Sequence, residues 1–222
     1  MAKKIDLGVE RDHIESLTRA NGVNALAELI WNSLDADSTV VNVDYVKNRL
    51  DAIEEISISD NGLGLRYDKA QDIFGRLGGS LKKIEPTSPG GRQYHGKEGK
   101  GRYKALALGD LVKFTSTYRN TDQCHEFSIT LDRNNLTYSE FSDQKALPKS
   151  EKETGFRALI QNVNQESANQ ALDTKTRKEL EQKFASYWIS YPDFNIFFNG
   201  HKLEFESLFK NTEQTKVFAK DG

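Results

Sequence analysis

From residue 23 to 36, apolar residues recur with the spacing of a buried helix, and polar ones interrupt them at intervals of four and three. At about 100° of rotation per residue, Val23, Leu26, Ile30 and Leu34 collect on one side. Glu28, Asn32 and Asp35 fall within an arc of about 60° on the other. The pattern predicts a helix that packs one way and aims a carboxylate, an amide and a second carboxylate the other way. A short helix is expected before it, over 13–20, with Asp12 as its N-cap and Asn21-Gly22 as its break. Residues 40–46 are β-branched with partial alternation, and 55–59 alternate cleanly, so both predict strands. Residues 75–104, rich in Gly, Lys, Arg, Ser and Pro, predict a long mobile segment. Residues 105–108 close a helix ended by Gly109. Strands are expected near 112–118, 126–131 and 156–163, with a turn at 132–135 and a charged loop over 145–153. A charged amphipathic helix spans 173–187, capped by Asp173 or Thr174, with Pro192 beyond its end. Finally, apolar runs 194–198 and 203–205 flank Asn199-Gly200. This is the signal of a hairpin on a tight primed turn, with either two or four residues between the strands.

Helices, then strands, a glycine-rich loop, more strands, a helix and a hairpin predict an α+β fold. The sheet is mixed, mostly antiparallel, with helices on one face: a two-layer α/β sandwich. The strict strand–helix alternation of a doubly wound parallel sheet is missing. The expected division is a core over 1–165 and a C-terminal helix plus β-hairpin extension over 166–222.

Three constellations carry candidate chemistry. In the first, Glu28 suits activation of a water and Asn32 offers a hard oxygen to Mg²⁺; the plainer reading is an amphipathic helix with a solvated face. In the second, Asp60 sits at the exit of a strand, followed by Gly62 and Gly64, which let backbone approach a flat ligand closely. A buried Asp there accepts from an exocyclic amine; the plainer reading is an Asx turn. The third is Gly96-Lys-Glu-Gly99-Lys-Gly101-Arg-Tyr-Lys104, whose glycines present consecutive backbone N–H groups to an anion. Residues 75–104 hold eight basic and two acidic side chains in a chain of net charge −2. A basic glycine-rich loop of this kind suits a polyphosphate; a solvated loop or a nucleic-acid contact is the alternative. No P-loop motif occurs.

The composition narrows the setting. With 222 residues, 36% hydrophobic and 29% charged, the chain supports a globular core. Its near-neutral charge implies no general attraction to nucleic acid or membrane. The lone Cys124 makes neither an internal disulfide nor a cysteine-based zinc site, which favours a reduced cytoplasmic location. The four histidines (His13, His95, His125, His201) show no metal-ligand spacing. No apolar run reaches the roughly 20 residues of a membrane span.

The three constellations, in this order, resemble the GHKL ATPase superfamily, the Bergerat fold. Its members include gyrase B subunits, the large heat-shock chaperone, MutL, MORC proteins and histidine-kinase catalytic domains. The resemblance covers roughly 21–163. The wording of 25–36 and of Phe74-Gly-Arg-Leu-Gly78-Gly-Ser-Leu-Lys82-Lys looks most like the chaperone, MutL and MORC branches. The resemblance implies ATP and Mg²⁺ as ligands. It makes Glu28 the general base that polarises the attacking water and Asn32 the Mg²⁺ ligand, with Asp35 supporting them near the phosphates. Asp60 would bind the adenine amine, with Gly62 and Gly64 shaping its pocket. Gly96, Gly99 and Gly101 would form the lid, with the Lys100 and Arg102 backbone N–H groups against the phosphates. Lys97 and Lys104 would add charge neutralisation.

Relatives often place Gly-Thr before a late strand, the Thr reaching adenine through water. Here the order is Thr154-Gly155-Phe156, so Thr154 either substitutes from the neighbouring position or makes no such contact. Glu28 favours hydrolysis over phosphotransfer, because histidine kinases typically lack it. The resemblance implies slow ATP hydrolysis driving lid closure and association of two protomers in a clamp. Its alternatives are a non-hydrolysing ATP sensor and a protein kinase domain. Clients or nucleic acid would be met through other domains, and no membrane partner is expected. The sequence ending at Gly222 is expected to be the N-terminal part of a longer protein whose next domain supplies a lysine to the terminal phosphate.

Overall fold

The computed structural model describes residues 16, 18–75, 87–95, 101–151 and 153–209. The helix expected over 13–20, most of the segment around Gly78, and lid residues Gly96, Lys97, Gly99 and Lys100 lie outside or largely outside the described residues. In chain order the elements are α1 (Gly22–Asp35), β1 (Val40–Lys47), β2 (Ile53–Asp60), α2 (Tyr67–Phe74) and α3 (Gly101–Lys104). Then come β3 (Gly109–Asn120), β4 (Gln123–Asp132), β5 (Asn135–Phe141), β6 (Lys145–Ala146) and β7 (Gly155–Val163). The chain continues through α4 (Gln165–Leu172), α5 (Thr174–Ser190), β8 (Asn195–Phe198) and β9 (His201–Lys202).

The strands form one sheet in the order β5-β4-β3-β7-β2-β1-β8-β9, with β6 beside β4. Its pairings are antiparallel except β1–β8, which is parallel. The register explains the two layers. Val43 pairs with Ile58 and Phe198, Ile58 with Ala158, Ala158 with Phe114, and Phe114 with Ile129. Because side chains alternate along a strand, this row of buried residues belongs to one face, and α1 packs on it. Leu26, Ile30 and Leu34 of α1 are fully buried, each contributing about 2 kcal/mol of apolar burial. Trp31 extends the layer sideways to α5, with ring centroids 4.4 Å from Phe184 and 5.0 Å from Tyr187. This is the α+β arrangement the hydrophobic pattern predicts, with a mostly antiparallel sheet.

Local capping fixes the helix starts. Asn21 accepts from the Asn24 N–H at 2.7 Å to begin α1, and Asp173 accepts from the Lys175 N–H at 2.9 Å to begin α5.

Several expectations need correction. Of the two loop lengths left open for the terminal hairpin, the two-residue one forms: Phe198 pairs with His201. Asn199 and Gly200 both take positive φ (47° and 76°), the primed turn that matches strand twist. Residues 203–205 do not extend that strand; a 3₁₀ turn begins at Phe205. Gly109 does not cap a helix but opens β3, after a 3₁₀ turn over Ala105–Ala107. Residues 87–95, expected to be mobile, are tied to the end of α1, as described below. α2, α4, β5 and β6 were not expected.

Candidate functional site

α1 and the exit of β2 bring the first two constellations together. Asp60 is the last residue of β2 and pairs with Val41, which is fully buried. Its side chain therefore points to the helix-covered face rather than to solvent. Oδ1 accepts from the Gly62 N–H at 2.9 Å and the Phe156 N–H at 3.2 Å. Oδ2 is buried and has no hydrogen-bonding partner among the described residues. Burial pushes the Asp60 carboxyl above its ordinary value, against the nearby Ser33 hydroxyl and the two N–H donors, which favour the charged form. Buried polar atoms are normally satisfied; Oδ2, with the Ser33 hydroxyl nearby, has no hydrogen bond among the described residues.

The surrounding backbone is held tightly. The Asn61 side chain accepts from the Thr39 and Val40 N–H groups, both at 2.9 Å, pinning the start of β1. Gly62 lies against the Ala36 carbonyl: a Cβ there would come within 2.6 Å of that oxygen. Gly64 has φ +68°, and a Cβ would meet the Thr117 carbonyl at 2.2 Å, so only glycine fits. Ser116 of β3 holds the same loop from its other side, bonding both the N–H (2.7 Å) and the carbonyl (2.9 Å) of Leu65. Thr154 joins this group, its hydroxyl donating to the Gly62 carbonyl at 2.7 Å.

At the other end, Glu28 is partly buried and Asn32, one turn on, is exposed. α3 approaches them closely: a Cβ on Gly101 would sit 2.6 Å from Glu28 Oε2 and 3.9 Å from Asn32 Nδ2. Lys104 Nζ donates to Glu28 Oε1 at 2.5 Å. The Arg102 side chain turns inward, its guanidinium 5.1 Å from the Phe74 ring centre and 4.9 Å from that of Tyr103. Burial pulls its pKa below the ordinary arginine value.

Asp35 is buried and accepts from the His95 N–H at 3.0 Å. It belongs to a clasp that sequence reasoning missed. Asp37 accepts from the Ser88 hydroxyl (2.5 Å) and the Gly90 N–H (2.8 Å), and Arg92 donates to the Ser38 carbonyl at 2.6 Å. The His95 ring stacks on Trp31 at 3.8 Å. The segment leading into the glycine-rich loop is thus fastened to the C-terminal end of α1. Its partners lie more than fifty residues apart, so no local spacing signals it.

The residues present suit a magnesium-bound nucleotide. Among the described residues no group of three or more His, Cys, Asp or Glu is placed to cage a metal. Mg²⁺ does not require a cage: it is commonly held by one or two protein oxygens with phosphates and water completing the octahedron. Asn32, exposed one turn from Glu28, carries an amide oxygen of the kind such a site would use. A hollow of about 540 Å³ lined by Trp188, Ile189, Pro192, Glu206 and Phe209 is apolar, with no basic side chain in its lining, and does not suit a polyphosphate.

The sequence pattern of the family described as "Histidine kinase-, DNA gyrase B-, and HSP90-like ATPase" matches residues 21–170. The chain belongs to this family and carries a GHKL-type, ATP-binding domain on the fold just described. It is also similar to a protein of Herpetosiphon aurantiacus named "Putative type II restriction enzyme HgiDII", with 25% identity over 105 residues. That alignment covers 47% of this chain and 16% of the relative, so the chain spans a small part of the relative's length. No helix among the described residues is long and apolar enough to cross a membrane.

Proposed function

We propose that this domain binds Mg–ATP between Asp60 and Glu28 and hydrolyses it slowly to ADP and phosphate. The observation that carries the reading is the buried, unpartnered Asp60 Oδ2 at the end of β2. An adenine exocyclic amine would complete it, with Gly62 and Gly64 admitting the flat base and Thr154 steadying the Gly62 carbonyl. Asn32 would hold Mg²⁺, which when bound neutralises phosphate charge. Glu28 would take the proton of the attacking water, and Gly101 would bring lid backbone against the phosphates, together with Gly96, Lys97, Gly99, Lys100 and Arg102. No covalent intermediate is required; positioning and electrostatics carry the chemistry.

In this reading ATP orders the lid and draws two protomers together as a clamp, in a cytoplasmic protein. Among client classes, DNA is the one favoured by the printed name of the restriction-enzyme relative. A second reading, a sensor that binds ATP without turnover, is favoured by one observation: Glu28 is engaged by Lys104 and must be released before it can act as a base. The test is a pair of substitutions assayed for binding and turnover. Glu28→Ala is expected to keep ATP binding and lose hydrolysis; Asp60→Asn is expected to lose binding. Turnover by Glu28→Ala at the parent rate would remove Glu28 from the role of base. A parent protein that binds ATP but releases no phosphate would favour the sensor.

A further inference from the structure

We propose that Lys104 reads the terminal phosphate of the nucleotide, and that its ion pair with Glu28 is the resting state from which that phosphate displaces it. The proposal rests on the Mg–ATP reading above.

The geometry has a fixed part and a movable part. The backbone around Lys104 is anchored: Tyr103 is 5% exposed, and Ala105 and Leu106 are fully buried. The Lys104 and Glu28 side chains are 34% and 26% exposed. A lysine ammonium is a point charge on a four-carbon stem that re-aims without backbone movement. It starts at 2.5 Å from Glu28 Oε1, while Gly101 backbone lies against the other oxygen of the same carboxylate. Asn32 stands one helical turn away on the same face. Any phosphate reaching Glu28 and Asn32 therefore meets Lys104 as well.

Charge decides the direction of exchange. A partly exposed ion pair is weak, and Glu28 offers one negative charge. The terminal phosphate of ATP brings more charge and more acceptor oxygens to the same place. A diphosphate ends one group short, so it draws Lys104 less. Lys104 would thus leave Glu28 for ATP and stay with it for ADP. The carboxylate lone pair that Lys104 occupies in the resting state becomes available to water only when a triphosphate is in place. One residue then does two things: it favours ATP over ADP, and it keeps the base engaged until the substrate arrives. Lys104 is a positioning and specificity residue in this scheme, acting on Glu28 rather than on water.

Calorimetry with Mg²⁺ on the full chain tests this, using ATP and ADP separately. Glu28→Ala frees Lys104 beforehand and is expected to tighten ATP about fivefold, with ADP changed less than twofold. Lys104→Met is expected to weaken ATP about tenfold, again with ADP changed less than twofold. The double variant should match Lys104→Met, because the gain from Glu28→Ala passes through Lys104. Lys104→Arg should retain the preference for ATP, and Lys104→Gln replaces the methionine variant if that one does not fold. Equal effects of Lys104→Met on ATP and ADP, or no gain of ATP affinity in Glu28→Ala, would overturn the proposal while leaving nucleotide binding intact. Absence of binding of either nucleotide to the unsubstituted protein would overturn the Mg–ATP reading itself and this inference with it.

Discussion

The two ends of the candidate site are built by different means. Around Asp60 the parts are short side chains and main chain: a strand terminus, the Gly62 and Phe156 N–H groups, the Asn61 staple, and Ser116 gripping Leu65. None of these groups has a long arm to swing. Around Glu28 the parts include two long, partly exposed side chains, Glu28 on α1 and Lys104 on α3, joined by an ion pair. A site wired through backbone is costly to deform and suits recognition of a fixed shape. A site made of long charged arms changes partners at little cost and suits a step that must be switched on. In this account the first end selects the base and the second responds to the phosphates.

The comparison sharpens when each end is disturbed separately. Replacing Glu28 with Ala is expected to lower kcat about 1000-fold, within the range of a lost general base, without weakening ATP binding; a phosphate-release assay beside calorimetry separates the two. Asp60→Asn is expected to weaken ATP about 100-fold, as a lost hydrogen bond to a buried charged acceptor does. The same substitution should stabilise the empty protein. Burial raises the folded-state pKa of Asp60 above 3.8, so its contribution to stability is fully present below the unfolded value and is lost as pH rises through the folded value. The melting-temperature advantage of Asp60→Asn should therefore be absent near pH 3 and grow as pH rises above about 4. An advantage that shrinks with rising pH would contradict the raised pKa.

Gly101→Ala pushes a Cβ to within 2.6 Å of Glu28 Oε2. That atom ends a flexible side chain, so the fold should survive and kcat should fall about tenfold through a misplaced base; an unchanged rate would argue that Glu28 has more freedom than the ion pair suggests. The smallest effect belongs to Thr154→Val. Losing one hydrogen bond to the Gly62 carbonyl should weaken ATP about threefold, measured by the same titration.

The sequence made some of this legible and hid the rest for identifiable reasons. α1 was readable because its apolar and polar residues separate cleanly at helical spacing, and β2 because 55–59 alternate. α4 was not: its buried residues are Ala168 and Ala171, too small to register as an apolar stripe. β5 was hidden because only Leu136 is buried in it, as expected near a sheet edge. At the site, Glu28, Asn32 and Asp60 stood out because they lie within or beside apolar patterns. Asp37, Ser88 and His95 did not, since their contacts close loops of more than fifty residues. The Lys104–Glu28 pair joins residues 76 apart, and only the folded chain reveals it.

The central claim is tested most directly by calorimetric titration of the full chain with ATP and then GTP, both with Mg²⁺. Asp60 offers a buried acceptor to an exocyclic amine, and guanine presents a carbonyl where adenine carries that amine. Saturable heat with ATP and none with GTP at the same concentrations is the expected result. Equal heats from the two nucleotides, or none from either, would contradict it.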